Sequence, residues 1–209
     1  MVAKNYSIKD YKEGKLKGFR YIKGFMNDQN PKFFEWDKPV DRMVDNKKIK
    51  GRPTRGYGDF EFEYAGKLMV PEPWENDPQM CTLKRIATER LRRWAKDWGT
   101  KRLSEWGFSS KTRNRLLTED IVFDFCLVGL YRKGTDGIPH HSDTVPSEND
   151  LVLSISFGAH RLFSVRDFGR QIKEHSNTSK LYDPFTKKQF RDLPEFKNYM
   201  YMMDHGDAI

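Results

Sequence analysis

Cysteine is nearly absent from this 209-residue chain: Cys81 and Cys126 are the only two, and they form no CxxC spacing. They define no disulfide framework, and a reducing compartment is the simplest setting, the cytoplasm or, in a eukaryote, the nucleus. No apolar run approaches the ~20 residues that a membrane-spanning helix needs, so no membrane partner is expected. The first 15 residues are polar and lysine-rich without an apolar stretch, and they do not read as a secretory signal. Internal repeats and long low-complexity segments are missing too. The length suits one domain with a sizeable core, expected as a monomer.

Charge is plentiful. Charged residues make up 33% and hydrophobic residues 37%, which fits a soluble globular protein. The net charge of +8 is unevenly spread. Residues 1–120 hold 27 Lys/Arg against 18 Asp/Glu, whereas residues 121–209 hold 11 against 12. The basic excess therefore lies wholly in the N-terminal part. Such a surface attracts phosphates by counterion release, which makes nucleic acid a plausible partner; a merely soluble protein of high pI is the bland alternative.

The texture changes along the chain. Residues 1–50 are mixed, with Phe33, Phe34 and Trp36 among charges, and Lys38-Pro39 and Arg52-Pro53 read as breaks in a loop-rich segment. Gly56-Tyr57-Gly58-Asp59 reads as a turn, followed by a strand at Phe60-Glu61-Phe62-Glu63-Tyr64, where aromatics alternate with acids. Met80, Leu83, Ala87, Leu91, Trp94 and Trp98 recur at spacings of three and four, the stripe of a core-facing helix with a basic back. From Ile121 onward the segments 121–131, 151–157, 161–166 and 199–203 read as short strands of an antiparallel sandwich or barrel. The outline is α+β: helices and loops first, then a β core.

The chemistry concentrates at Tyr131-Arg132-Lys133-Gly134-Thr135-Asp136-Gly137-Ile138-Pro139-His140-His141-Ser142-Asp143. On an extended segment His141 and Asp143 point to the same side. An imidazole and a carboxylate so placed supply two neighbouring ligands, and a second histidine from a distant strand completes a two-His-one-carboxylate triad on ferrous iron, leaving sites for an oxoacid and O2. A bare His-x-Asp arises often by chance, so the surrounding order of motifs matters.

That order resembles the AlkB family of iron(II)/2-oxoglutarate-dependent dioxygenases. Tyr131 and Gly134 lead to His141-x-Asp143, then to Ser154-Ile155-Ser156-Phe157-Gly158 and Arg161-Leu162-Phe163. Upstream, Arg52 to Asp59, Tyr64-Ala65-Gly66 and Pro71-Glu72-Pro73-Trp74 look like the family's nucleotide-recognition lid. The resemblance spans about residues 50–209 and implies a double-stranded β-helix (jelly-roll) core in residues 51–209, with residues 1–50 as an extension packed on it. It implies Fe(II) and 2-oxoglutarate as cofactors, and DNA or RNA with alkylated bases as substrate. O2 then oxidises 2-oxoglutarate to succinate while an N-alkyl carbon is hydroxylated, and the hemiaminal collapses to an aldehyde and the repaired base. A base inside a duplex must first be flipped out.

The resemblance also assigns roles. His141 and Asp143 match iron ligands, Tyr131 a tyrosine that hydrogen-bonds 2-oxoglutarate, Tyr57 a lid aromatic that stacks on the flipped base, and Arg161 an arginine near cosubstrate and substrate. The bland readings are a tyrosine packing on the domain for Tyr57, a strand salt bridge for Arg161 and a core strand residue for Tyr131. Gly129 stands where many members carry an asparagine that contacts the cosubstrate, so that contact is lost or supplied by another group. The distal histidine and two arginines of the family pattern are expected beyond Ile209, so the chain as given is expected to bind iron weakly. Two other functions stay open: a protein side-chain hydroxylase, and a catalytically dead nucleic-acid-binding module.

Overall fold

The computed structural model describes residues 4–5, 19–33, 35–39, 41–44, 47–49, 51–64, 67–118, 123–134, 136–138, 151–167 and 197–209. Its longest element is helix α1 (Pro78–Glu105). Asp77 starts it: the carboxylate accepts from the amides of Gln79 and Met80 at 3.0 and 3.1 Å, satisfying two of the orphan donors of the first turn. Pro78 takes the first helical position, where its missing N–H costs nothing. The stripe expected from the sequence is the packed one, with Met80, Ala87 and Leu91 buried and Leu83, Trp94 and Trp98 against the core. Burying a leucine such as Leu91 contributes about 1.5–3 kcal/mol.

Gly99 interrupts α1 with φ 68° and ψ 169°, a left-handed backbone that favours glycine. The kink resets the helical phase, and Leu103 beyond it is fully buried. Helix α2 (Ser110–Leu117) follows, capped by the Ser109 hydroxyl accepting from the Thr112 amide at 3.0 Å. Trp98 and Trp106 pack on each other at 5.2 Å, and the Arg20 guanidinium lies 4.4 and 4.3 Å from the two rings.

Helices do not come first in this chain. Two hairpins precede them, β2 (Arg42–Val44) with β3 (Lys47–Ile49) and β5 (Phe62–Tyr64) with β6 (Lys67–Met69). Between the hairpins lies β4 (Thr54–Gly58), which pairs antiparallel with β7 (Phe125–Gly129), Thr54 opposite Gly129 and Tyr57 opposite Cys126. The turn expected at 56–59 is therefore strand through Gly58. Both edges of this stretch find partners, since Gly58 N also donates to Glu72 O and Glu72 N to Gly56 O. Backbone pairing on two sides outweighs the turn preference of a Gly-x-Gly triplet.

Strands β8 (Arg161–Asp167) and β9 (Lys197–Met203) pair antiparallel from Arg161–Met203 to Asp167–Lys197, and β1 (Lys4–Asn5) adds a parallel edge to β9. The 151–157 segment is extended, but it forms a bridge only at Ile155, opposite Ala208. Its backbone bonds run to Ile209 and Asp207, while Ala208 also pairs with Ile22. Asp207, 1% exposed, fastens this corner by accepting from Tyr21 Oη at 2.5 Å, Gly24 N at 2.7 Å and Asp204 N at 2.8 Å. The described residues thus form a mixed helix-and-sheet fold of small, mostly antiparallel sheets, in keeping with the expected α+β class.

Candidate active site

The β4–β7 ribbon has two faces, because directly opposed residues share a side and neighbours alternate. Arg55, Tyr57, Cys126 and Val128 fall on one face; Thr54, Gly56, Leu127 and Gly129 fall on the other. The pairing continues past the named strand, with Leu130 N donating to Pro53 O at 2.9 Å, so Tyr131 follows Gly129.

Tyr57 lies on the first face, and that face is closed. Its residue is 3% exposed, its ring stacks on Trp74 at a centroid distance of 6.3 Å, and Met80, Cys126 and Val128 pack around the pair. The phenol donates to Asp77 Oδ2 at 3.0 Å, so the carboxylate that caps α1 also anchors Tyr57. Burial, then the bond to Asp77, pushes the phenol up to about 12. In this conformation the Tyr57 ring is packed against Trp74. On the same face Arg55 is paired with Glu35 at 2.7 Å and Glu72 at 3.3 Å.

Tyr131 lies beyond the other face, near two guanidiniums. Arg52 Cζ sits 5.1 Å and Arg161 Cζ 4.7 Å from the ring centroid. Arg161 is the better tethered. It donates to the carbonyls of Tyr131 at 3.1 Å, Lys133 at 2.8 Å and Asp136 at 3.0 Å. The Asp136 carboxylate in turn accepts from the amides of Arg132 and Lys133 at 2.7 and 3.1 Å. Those two amide bonds hold the Asp136 carboxyl below its usual range. Arg161 is thus a clamp on the loop that runs toward His141 and Asp143, and no strand salt bridge occupies it among the described residues.

His141 and Asp143 themselves, with His140 and His175, lie outside the described residues. Among the described residues no group of three or more His, Cys, Asp or Glu could hold a metal ion. His205 is committed to structure: Nδ1 accepts from Gly158 N at 3.0 Å, and Nε2 lies 2.8 Å from Gln29 O. His160 is exposed, just before β8. A small dicarboxylate does fit what is present, because a phenol flanked by two guanidiniums offers the donors and the charge that carboxylates take.

Sequence reasoning read Arg52-Pro53 as a break and set Arg52 at the head of the lid-like stretch 52–59, without a role of its own. Asp136, the organiser of the loop, was also missed. The position of Tyr131 two residues after Gly129 was a usable signal, but which residue crosses over from β4 depends on register.

Residues 37–202 match the family described as the 2OG-Fe(II) oxygenase superfamily, and the chain belongs to that superfamily. It is a 2-oxoglutarate-dependent dioxygenase, using Fe(II), 2-oxoglutarate and O2. No curated protein matches the chain. Among the described residues no helix is long and apolar enough to cross a membrane.

Proposed function

We propose that this dioxygenase removes N-alkyl groups oxidatively from DNA or RNA bases, as an AlkB-like domain in residues 51–209 with a jelly-roll core and a lid. Residues 1–50 would pack on that domain, and the protein would act as a monomer in the cytoplasm or a nucleus. The observation that carries the reading is the solvent side of the helices. Arg93, Lys96, Lys101 and Arg102 are exposed on α1 and take part in no ion pair among the described residues, whereas Arg85 is matched by Glu89 at 2.8 Å. Unneutralised cations along one element suit a phosphate backbone. The order of motifs from Tyr131 to Arg161 supports the same assignment.

His141 and Asp143 would hold the iron, and Tyr131 would donate its phenol hydrogen to the oxoacid. When bound, iron would let O2 act as the oxidant, with 2-oxoglutarate supplying two of the four electrons and the substrate carbon the other two. The chain supplies placement: Arg161 holds the loop from Tyr131 to Asp136, and that loop leads into the ligand pair. The enclosed ring of Tyr57 favours a second reading, in which the substrate is a protein side chain and no base needs a stacking partner. Succinate release measured with methylated single- and double-stranded oligonucleotides and with peptides decides between them. Turnover with oligonucleotides is expected. Turnover with peptide alone would favour the hydroxylase, and tight oligonucleotide binding without turnover would favour a dead binding module.

A further inference from the structure

Arg20 is a half-buried cation without an anion among the described residues. Other arginines of the same region are matched. Arg55 meets Glu35 at 2.7 Å and Arg90 meets Asp28 at 2.5 Å, and these bonds push both guanidiniums above their usual range. Arg20 goes the other way: burial pushes it down, and no carboxylate offsets the loss of water. Asp97 and Glu105 stand next in sequence to Trp98 and Trp106, yet neither pairs with it. Its Nε is buried without a hydrogen-bond partner, whereas its terminal nitrogens are not sealed off. An unpaired guanidinium with one donor unmet is a place that an anion stabilises.

The surroundings suit an anion on a chain. Trp98 immediately precedes the Gly99 kink, where a Cβ would meet nothing within 4 Å, so the backbone there is uncovered. The Trp106 amide donates to Arg102 O at 3.0 Å, and residues four apart share a helix side, which puts the exposed Arg102 beside Trp106. Residues 93–106 hold 4 Lys/Arg against 2 Asp/Glu, and Arg20 adds a fifth cation. A planar guanidinium resting on two rings is already oriented, and its fork matches phosphate oxygens.

We propose that Arg20, held against Trp98 and Trp106 and joined by Arg102, seats a backbone phosphate of a nucleic-acid strand at the Gly99 kink. The contact positions the strand and reads no base. The proposal rests on the reading that the substrate is nucleic acid.

Fluorescence anisotropy of labelled single-stranded oligonucleotides, titrated with the whole chain over a series of KCl concentrations, tests it. The logarithm of affinity is expected to fall linearly with the logarithm of salt concentration. Arg20→Met is expected to flatten that slope by ~0.7, the share of one single-strand phosphate, equally for oligonucleotides of different sequence. Methionine keeps an apolar contact with the indoles, and the melting midpoint serves as the control for folding. If Arg20→Met does not fold, the exposed Arg102→Gln carries the test, with the same flattening expected. A slope unchanged in the folded variant would overturn the phosphate seat and leave the nucleic-acid reading standing. A loss that depends on base sequence would overturn it as well. A wild-type chain that binds no oligonucleotide would overturn the nucleic-acid reading, and the proposal would fall with it.

Discussion

On one face of the β4–β7 ribbon, the buried Tyr57, Trp74 and Met80 pack with the partly buried Cys126 and Val128. Beyond the other face, Gly129 and Tyr131 meet the charged ends of Arg52 and Arg161. The same two strands thus carry a packed face and a face that leads to two guanidiniums near Tyr131, on alternate residues. The difference teaches that aromatic identity does not fix a role here. Tyr57 and Tyr131 are both tyrosines in a glycine-bearing stretch, and their neighbours across the ribbon decide which one is packed among apolar side chains and which one meets charge.

The sharpest way to break that contrast is Tyr57→Ala. It empties the centre of the closed face and should cost about 3–5 kcal/mol, read as a fall in denaturation midpoint. Dicarboxylate affinity of the folded fraction should stay within about twofold, since the residue faces away from Tyr131. An affinity collapse at unchanged stability would place Tyr57 in the binding surface after all.

Arg161→Met probes the other face. Loss of its carbonyl bonds should cost roughly 1–3 kcal/mol, and metal affinity should fall with it, because the loop toward His141 loses its clamp. Unchanged Mn(II) affinity by titration would remove the positioning role.

The thiols offer a smaller, pH-dependent contrast. Cys81 is exposed, whereas burial in the closed face pushes the Cys126 thiol up to about 12. Cys126 should react with a disulfide reagent at least ~10-fold more slowly than Cys81 in the native protein, and equally fast in urea. Its sign follows from linkage: the folded thiol holds its proton more tightly than a free one at 9.0, so stability is full below pH 9 and falls as pH rises toward 12. Cys126→Ala should flatten that alkaline decline in melts between those limits. The mildest change is Tyr57→Phe, which removes one bond to Asp77 and should cost about 0.5–1.5 kcal/mol while the Asp77 cap on α1 persists.

Much of this was legible beforehand, and the exceptions share a cause. The α1 stripe, β8, β9 and the strand around Phe125 follow from local periodicity, which a sequence displays directly. Ala95 and Leu103 escaped the stripe, Ala95 as a small residue among larger ones and Leu103 because Gly99 resets the phase beyond itself. The turn expected at 56–59 is strand through Gly58 because a Gly-x-Gly triplet looks the same whether it turns or pairs, and its partners at 125–127 and 72 are distant in sequence.

Local order in the chain determined the helix and the short strands, and the order of motifs carried the resemblance from which oxoacid chemistry was expected between Tyr131 and Asp143. The tertiary structure alone decided that Tyr57 is enclosed, that Arg161 clamps a loop and that Arg52 fills the space above Gly129. The physical reason is register: a one-residue slip in strand pairing exchanges the two faces of a ribbon, and no local pattern encodes that choice.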